Sequence, residues 1–359
     1  MNRLLLPVVL VLILLSKTAS AQTPSTDAVS AGPHISTFSI VAYDPDSGDY
    51  GIAVQSRYFA VGEVVPHAAA GTGAIATQAR GNLQYGADGL ELLAQGMAAD
   101  KVVEQLISAD PLRDERQVAI IDQRGIAANF TGKNCLPWAG GRTGEHYAVQ
   151  GNLLTGPHVV DAMATAFETA PGDFATRLVY AIAAGQAAGG DARGRQSAAL
   201  LVVRKNGGYL GLTDRYIDLH VEDHPTPIRE LARLLKIRQA QLATGKARQQ
   251  LQRAADSEGA QRSVLIGQAR EHMQQALQLH PQDDYGWWLL ASIYLLEDQP
   301  GAAAEAAQRA LLENPAWRRL PASTRASLGV APELIEALLE VESFKRVWHS
   351  LAPEEPSAR

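Results

Sequence analysis

The chain of 359 residues is 46% hydrophobic and 19% charged, ordinary for a soluble globular protein of two domains and unlike disordered or fibrous chains. A formal net charge of -6, with no dense lysine and arginine cluster interleaved with aromatics, excludes a nucleic-acid surface. Cys135 is the single cysteine, which excludes an internal disulfide.

Residues 1–21, MNRLLLPVVLVLILLSKTASA, have a basic start at Arg3, an apolar run and small residues Ala19 and Ala21 around Ser20. They read as a secretory signal peptide cut after Ala21, because the apolar run is well short of the roughly 20 residues that span a bilayer. The mature protein is therefore expected in a periplasm or secreted, with no membrane attachment after cleavage. Residues 22–36, rich in Ser, Thr, Ala and Pro, read as a flexible leader.

Residues 37–43 and 50–55 then predict two apolar strands. Between them, DPDSGD supplies a proline with a preset φ, self-bonding aspartates and a glycine free to take positive φ, which is a hairpin signal. Neither strand alternates cleanly, so both faces are expected to be covered, as in the inner sheet of a layered α/β protein. A third strand is predicted at 71–78, two short helices within 83–109, strands at 118–122, 126–130 and 147–153, and helices at 159–168 and 174–184. Strands return at 197–204, 209–212 and 217–221. The order strands, helices, strands predicts an α/β layered domain over residues 37–237.

Residues 238–359 turn glycine-poor and helical. Trp287, Leu290, Ala291, Tyr294, Ala303, Ala307, Ala310 and Pro315 fall at the spacing of a tetratricopeptide repeat, and Ala269, Met273, Ala276 and Pro281 recur one period of about 34 residues earlier. This reads as one good repeat and a degenerate one, with 332–351 as a capping helix; a plain helical hairpin is the alternative. Such a repeat implies a protein partner.

The stretches TFSIVAYDPDSGDYGIAVQSRYFAVG, GTGAIATQARGNLQYG, YAVQGNLL, GQAAGGDARGRQSAALLV and DLHVEDHPTPIREL together resemble the bacterial and archaeal family DUF1028, grouped with the N-terminal nucleophile (Ntn) hydrolases. The resemblance implies a four-layer αββα sandwich, followed here by the all-α repeat region. It implies no known substrate. It also places Thr37 where the nucleophile of that superfamily stands. Ntn chemistry uses the hydroxyl of a chain-terminal Thr to attack a carbonyl, with its own α-amine, of pKa about 7.7 to 8, as base. Signal cleavage would leave residues 22–36 in front of Thr37, so activity requires a second cut between Ser36 and Thr37. Without it Thr37 is a strand-end hydroxyl.

Other polar positions are candidates beside it. Gln55, Ser56 and Arg57 end the second strand across from Thr37, where they can orient a substrate or the amine; Gln78, Arg80 and Asn82 leave the third strand in the same way. Asn152, after Gly151, can donate to an oxyanion or serve a turn. In GGDARGRQS, the glycines permit close backbone approach, Asp191 and Arg193 offer a paired charge, Arg195 can fork onto a carboxylate, and Gln196 lines the same loop. A solvated turn is the alternative. The segment lacks the strand-loop-helix phosphate pattern, so no nucleotide cofactor is called for. Cys135 has no adjacent base and reads as a small buried residue. His146, His158, His220 and His224 lack tight metal spacing, so no metal is called for. The expected ligand is a small amide or peptide-like molecule; the sequence leaves the oligomeric state open.

Overall fold

Strands β1 (Thr37–Asp44) and β2 (Asp49–Ser56) form the expected hairpin in a computed structural model that describes residues 37–351. The signal peptide and leader read from residues 1–36 lie outside the described residues, as do residues 352–359. The chain reverses where Gly48 takes a left-handed φ of 77° and donates its N–H to Asp44 O at 2.8 Å. Thr37 is paired with Ser56, so the start of one strand and the end of the other meet at one end of the sheet.

The strands fail to alternate because both faces are buried. Phe38, Ile40 and Ala42 enter one apolar core, and Val41, Ile52 and Val54 enter another. The remaining strands are β3 (Pro66–Ala69), β4 (Gly73–Ala79), β5 (Arg116–Ile121), β6 (Ala127–Thr131), β7 (Gly140–Gly144), β8 (Tyr147–Gly151), β9 (Ser197–Val203) and β10 (Arg215–Val221). They form a six-stranded sheet, β10-β9-β2-β1-β8-β7, and a four-stranded sheet, β3-β4-β5-β6, with antiparallel neighbours throughout.

The two sheets face one another through Val41, Ile52 and Val54 on one side and Ala74, Ala76, Ala119 and Ile121 on the other. Helices α1 (Gln84–Ala94) and α2 (Ala99–Ser108) cover the four-stranded sheet, placing Leu93, Val102 and Leu106 on Ile75, Val118 and Ile120. Helices α3 (His158–Thr169) and α4 (Phe174–Ala187) cover the six-stranded sheet through Met163, Phe167, Leu178 and Ile182. Burial of these apolar side chains, at about 25 cal/mol per Å², is the main drive for the layering.

Three local expectations are corrected. Strands β3 and β7 were not anticipated, because Pro66 opens one and three glycines fill the other; both are sheet edges, where a missing donor or side chain is tolerated. The predicted strand at 209–212 is instead a 3₁₀ turn, Tyr209–Gly211, between β9 and β10. Its apolar composition imitates a strand, but Leu210 has a φ of 52° and Gly208 N–H closes the turn on Thr213 O at 2.8 Å.

The 29-residue helix α5 (Pro227–Ala255) runs through position 237 without a break. Ile228, Leu231 and Leu235 belong to the core of the six-stranded sheet and its helices, whereas Ala240, Ala243 and Ala247 belong to a separate helical core. Helices α6 (Gly259–Leu279), α7 (Asp284–Leu296) and α8 (Pro300–Glu313) complete that second core, with Ala269, Met273, Ala276, Leu290, Ala291, Ala303, Ala307 and Ala310 all buried in it. Short helices α9 (Ala316–Arg319) and α10 (Ala322–Ser327) follow. The third correction is the capping helix, which is two helices, α11 (Pro332–Leu339) and α12 (Glu342–Ser350). Extended backbone at Val341 separates them and lets Leu338 and Phe344 both reach the same core. Among the described residues no helix is long and apolar enough to cross a membrane.

Candidate functional site

Thr37 is fully buried at the head of β1, and the polar residues around it come from both sheets. Its Oγ1 donates to Ser56 Oγ at 3.1 Å. Its carbonyl accepts from Gln78 Nε2 at 3.1 Å, across from β4, and from the Asn152 N–H at 3.0 Å, just past β8. Gln78 also donates to Gln117 Oε1 at 2.8 Å and accepts from Ser39 Oγ at 2.7 Å, while Asn152 Nδ2 donates to the same Gln117 oxygen at 3.0 Å. Gln117 Nε2 in turn reaches Gly151 O at 2.8 Å. Buried amides are costly unless bonded, so this network fixes the position of Thr37 from several directions. Ser56, Gln78 and Asn152 are neutral: they orient the threonine but cannot serve as a general base near pH 7.

The glycine-rich loop is stitched to the same end of the sheet. Its Asp191 carboxylate is buried and accepts from the Arg57 N–H at 3.1 Å, the Arg193 N–H at 2.9 Å and the Arg193 guanidinium at 3.1 and 2.8 Å. The close approach demands glycine: a Cβ on Gly189, at φ 119°, would lie 2.1 Å from Thr155 Oγ1. Gln196 donates its N–H to Ser56 O at 2.9 Å and accepts from the His224 N–H at 2.8 Å. Thr37, Ser56, Arg57, Asn152, Asp191, Arg193 and Gln196 are thereby brought together.

Asn82 belongs to a different cluster. Its Oδ1 accepts from the Gln84 N–H at 3.1 Å at the start of α1, and its Nδ2 lies 3.4 Å from Asp110 Oδ2. It lines a cleft of about 1000 Å³ with Tyr85, Asp110 and Arg116. There Asp110 accepts from Arg116 Nε at 2.8 Å, Tyr85 Oη at 2.9 Å and the Leu112 N–H at 2.8 Å. Burial by itself would raise the Asp110 carboxyl, but these donors outweigh it and hold the group below its ordinary value.

Ser39, Gln117 and Gln150 lie inside strands, so position at a strand end does not point to them. The signal available was an amide inside an otherwise apolar strand, as in RQVAII and YAVQG. Cys135 is buried, its Sγ bonded to Arg116 O at 3.3 Å, and burial pushes the thiol up to about 11, which leaves it inert.

His220, on edge strand β10, contacts Asp218 Oδ1 at 2.9 Å and Glu222 Oε1 at 3.4 Å. The hydrogen bond to Asp218, aided by the Glu222 charge, holds the imidazolium above its ordinary value. A raised folded value contributes stability that is complete below the unfolded value of 6.5 and is lost as pH rises through the folded one. His220→Gln is therefore expected to lower stability by about 1 kcal/mol or less near pH 5.5, with the difference shrinking toward pH 8.5 in urea unfolding. A difference that grows with pH would contradict the ion-pair assignment.

Comparison with known proteins adds a family. The family model for the "Family of unknown function (DUF1028)" matches residues 37–231, so the match opens on Thr37 itself. Among solved structures, the chain is similar to the crystal structure of protein SPO2555 from Silicibacter pomeroyi, described under the same family. The identity is 32%, the coverage 56% of this chain and 88% of that one, and the TM-score 0.51. No curated protein matches the chain.

Proposed function

The chain belongs to the DUF1028 family, and from that premise we propose that it is an exported hydrolase of the N-terminal nucleophile type, cleaving an amide bond with Thr37 as nucleophile. The observation that carries this reading is the placement of Thr37. It is the first residue of the family match and of a central strand, and its hydroxyl and carbonyl are oriented by Ser56, Gln78 and Asn152. Two facing sheets with helices on both outer faces agree with the αββα sandwich of that superfamily.

In the proposed reaction a cut between Ser36 and Thr37 frees the α-amine. Thr37 Oγ1 attacks the amide carbonyl carbon while the amine takes the hydroxyl proton. The oxyanion is met by donors such as the Asn152 amide, which has a second N–H beyond the one given to Gln117. Collapse breaks the C–N bond, and the leaving amine departs with the proton held by the ammonium. Water then attacks the ester, the amine again accepts the proton, and the acid is released as Thr37 recovers its hydroxyl. The helices after α5 are read as a tetratricopeptide-like module that binds a protein partner and positions the enzyme. Export is read from the signal-peptide pattern of residues 1–21, and the amide chemistry proposed for Thr37 uses no cofactor.

The test is the intact mass and N-terminal sequence of the mature protein from the exported fraction. A chain beginning at Thr37 is expected. A stable chain beginning at Gln22 would remove the free amine, defeat the mechanism and favour a non-catalytic binding module acting through its helical repeat.

A further inference from the structure

Arg57 and Arg195 stand at the Thr37 end of the six-stranded sheet, and the structure gives neither guanidinium a carboxylate partner among the described residues. Arg57 directly follows Ser56, the partner of the Thr37 hydroxyl. Its N–H is fixed by Asp191, and its Nη1 donates to the Arg195 carbonyl at 3.2 Å, which holds the two residues side by side. Asp191, the buried carboxylate at this end, is engaged through both oxygens by Arg193 and is not available to neutralise the other two. Both Arg57 and Arg195 are exposed. Two exposed arginines on neighbouring segments, tied by the Arg57 bond to the Arg195 carbonyl, suit a planar anion that accepts parallel N–H bonds, which is the chemistry of a carboxylate.

We infer that the site takes amides that carry a free carboxylate close to the scissile bond, of the N-acyl amino acid kind, with Arg57 and Arg195 binding that carboxylate. This rests on the reading of Thr37 as nucleophile, since the arginines gain a catalytic purpose from their position beside it. The carboxylate lies on the leaving amine: Oγ1 attacks the acyl carbon, the C–N bond breaks, and the amino acid departs with the proton from the ammonium. Salt weakens binding of the anion because both arginines are exposed to solvent.

The experiment has two arms. In the first, calorimetry compares N-acetyl-L-leucine with its carboxamide on the mature protein, on the Arg57→Gln/Arg195→Gln double variant and on Arg57→Lys/Arg195→Lys. The carboxylate is expected to bind at least about tenfold more tightly than the carboxamide. That preference should vanish in the glutamine variant, return in part in the lysine variant and fall as salt rises. Equal binding of the two probes, binding of neither, or a preference that survives the glutamine variant would overturn the inference. In the second arm, turnover of the same pair is measured. Cleavage of both at equal kcat/KM would leave Thr37 as nucleophile and overturn the carboxylate assignment; a carboxylate preference in binding with no turnover would uphold the anion site and count against the hydrolase.

Discussion

Thr37→Ala should abolish amide turnover, by roughly four orders of magnitude or more, because the substitution removes the group proposed to form the covalent intermediate. Thr37→Ser, which keeps the hydroxyl, should retain measurable activity. Both variants should stay folded. The alanine loses one buried hydrogen bond to Ser56, worth about 1 kcal/mol, with a further cost of similar size for leaving Ser56 without that donor. The pH profile separates chemistry from structure. If the α-amine of Thr37 is the base, kcat/KM of the wild type should climb as pH rises through about 7.7 to 8, where a chain-terminal amine loses its proton. Amide cleavage that survives in the alanine variant, or a profile governed by a group titrating near 4, would take Thr37 out of the mechanism.

The largest effect on stability is expected away from that site. Asp110→Ala should destabilise the protein by about 3–5 kcal/mol in urea unfolding, because it strands the Arg116 guanidinium, 5% exposed, without its carboxylate. Tyr85 Oη and the Leu112 N–H lose their acceptor in the same step. Replacing Arg116 as well, in Asp110→Ala/Arg116→Met, should cost clearly less than the sum of the two single changes, since neither partner is then left charged and buried. Asp110 also makes the fold acid-sensitive. Its folded value is depressed, so its contribution is present above the unfolded value of 3.8 and is lost as pH falls through the folded one. Stability of the wild type should drop over that range, and the variant should show less of this loss. A ΔΔG below about 1 kcal/mol near pH 7 would show that the pair is solvated rather than buried.

Asn82, which joins the Asp110 cluster, is a candidate for the Thr37 site by chain position alone. The residue leaves β4 just as Arg57 leaves β2, and by chain position alone the two are alike. In the fold they separate: Arg57 is drawn to Asp191 by its backbone, while Asn82 turns away to accept from the Gln84 N–H at the start of α1 and face Asp110. Gln117 shows the opposite case. It sits inside an apolar strand that looks like core, yet its amide bridges Asn152 and Gln78, and through them the carbonyl of Thr37.

Local chemistry acts over a few residues, and that is the range over which the sequence by itself was decisive. It determined the hairpin from proline, aspartate and glycine at the turn, the doubly buried strands from their unbroken apolar runs, the helical C-terminal region from its loss of glycine, and the family from segments between residues 37 and 237. Edge strands β3 and β7 stayed hidden because an edge relaxes the very rules by which a strand is recognised. The gathering of Thr37, Gln78, Gln117, Asn152 and Asp191 was decided only by the tertiary structure. These residues are far apart in the chain, and what unites them is the register of antiparallel strands and the stacking of two sheets, which depend on which apolar faces find each other.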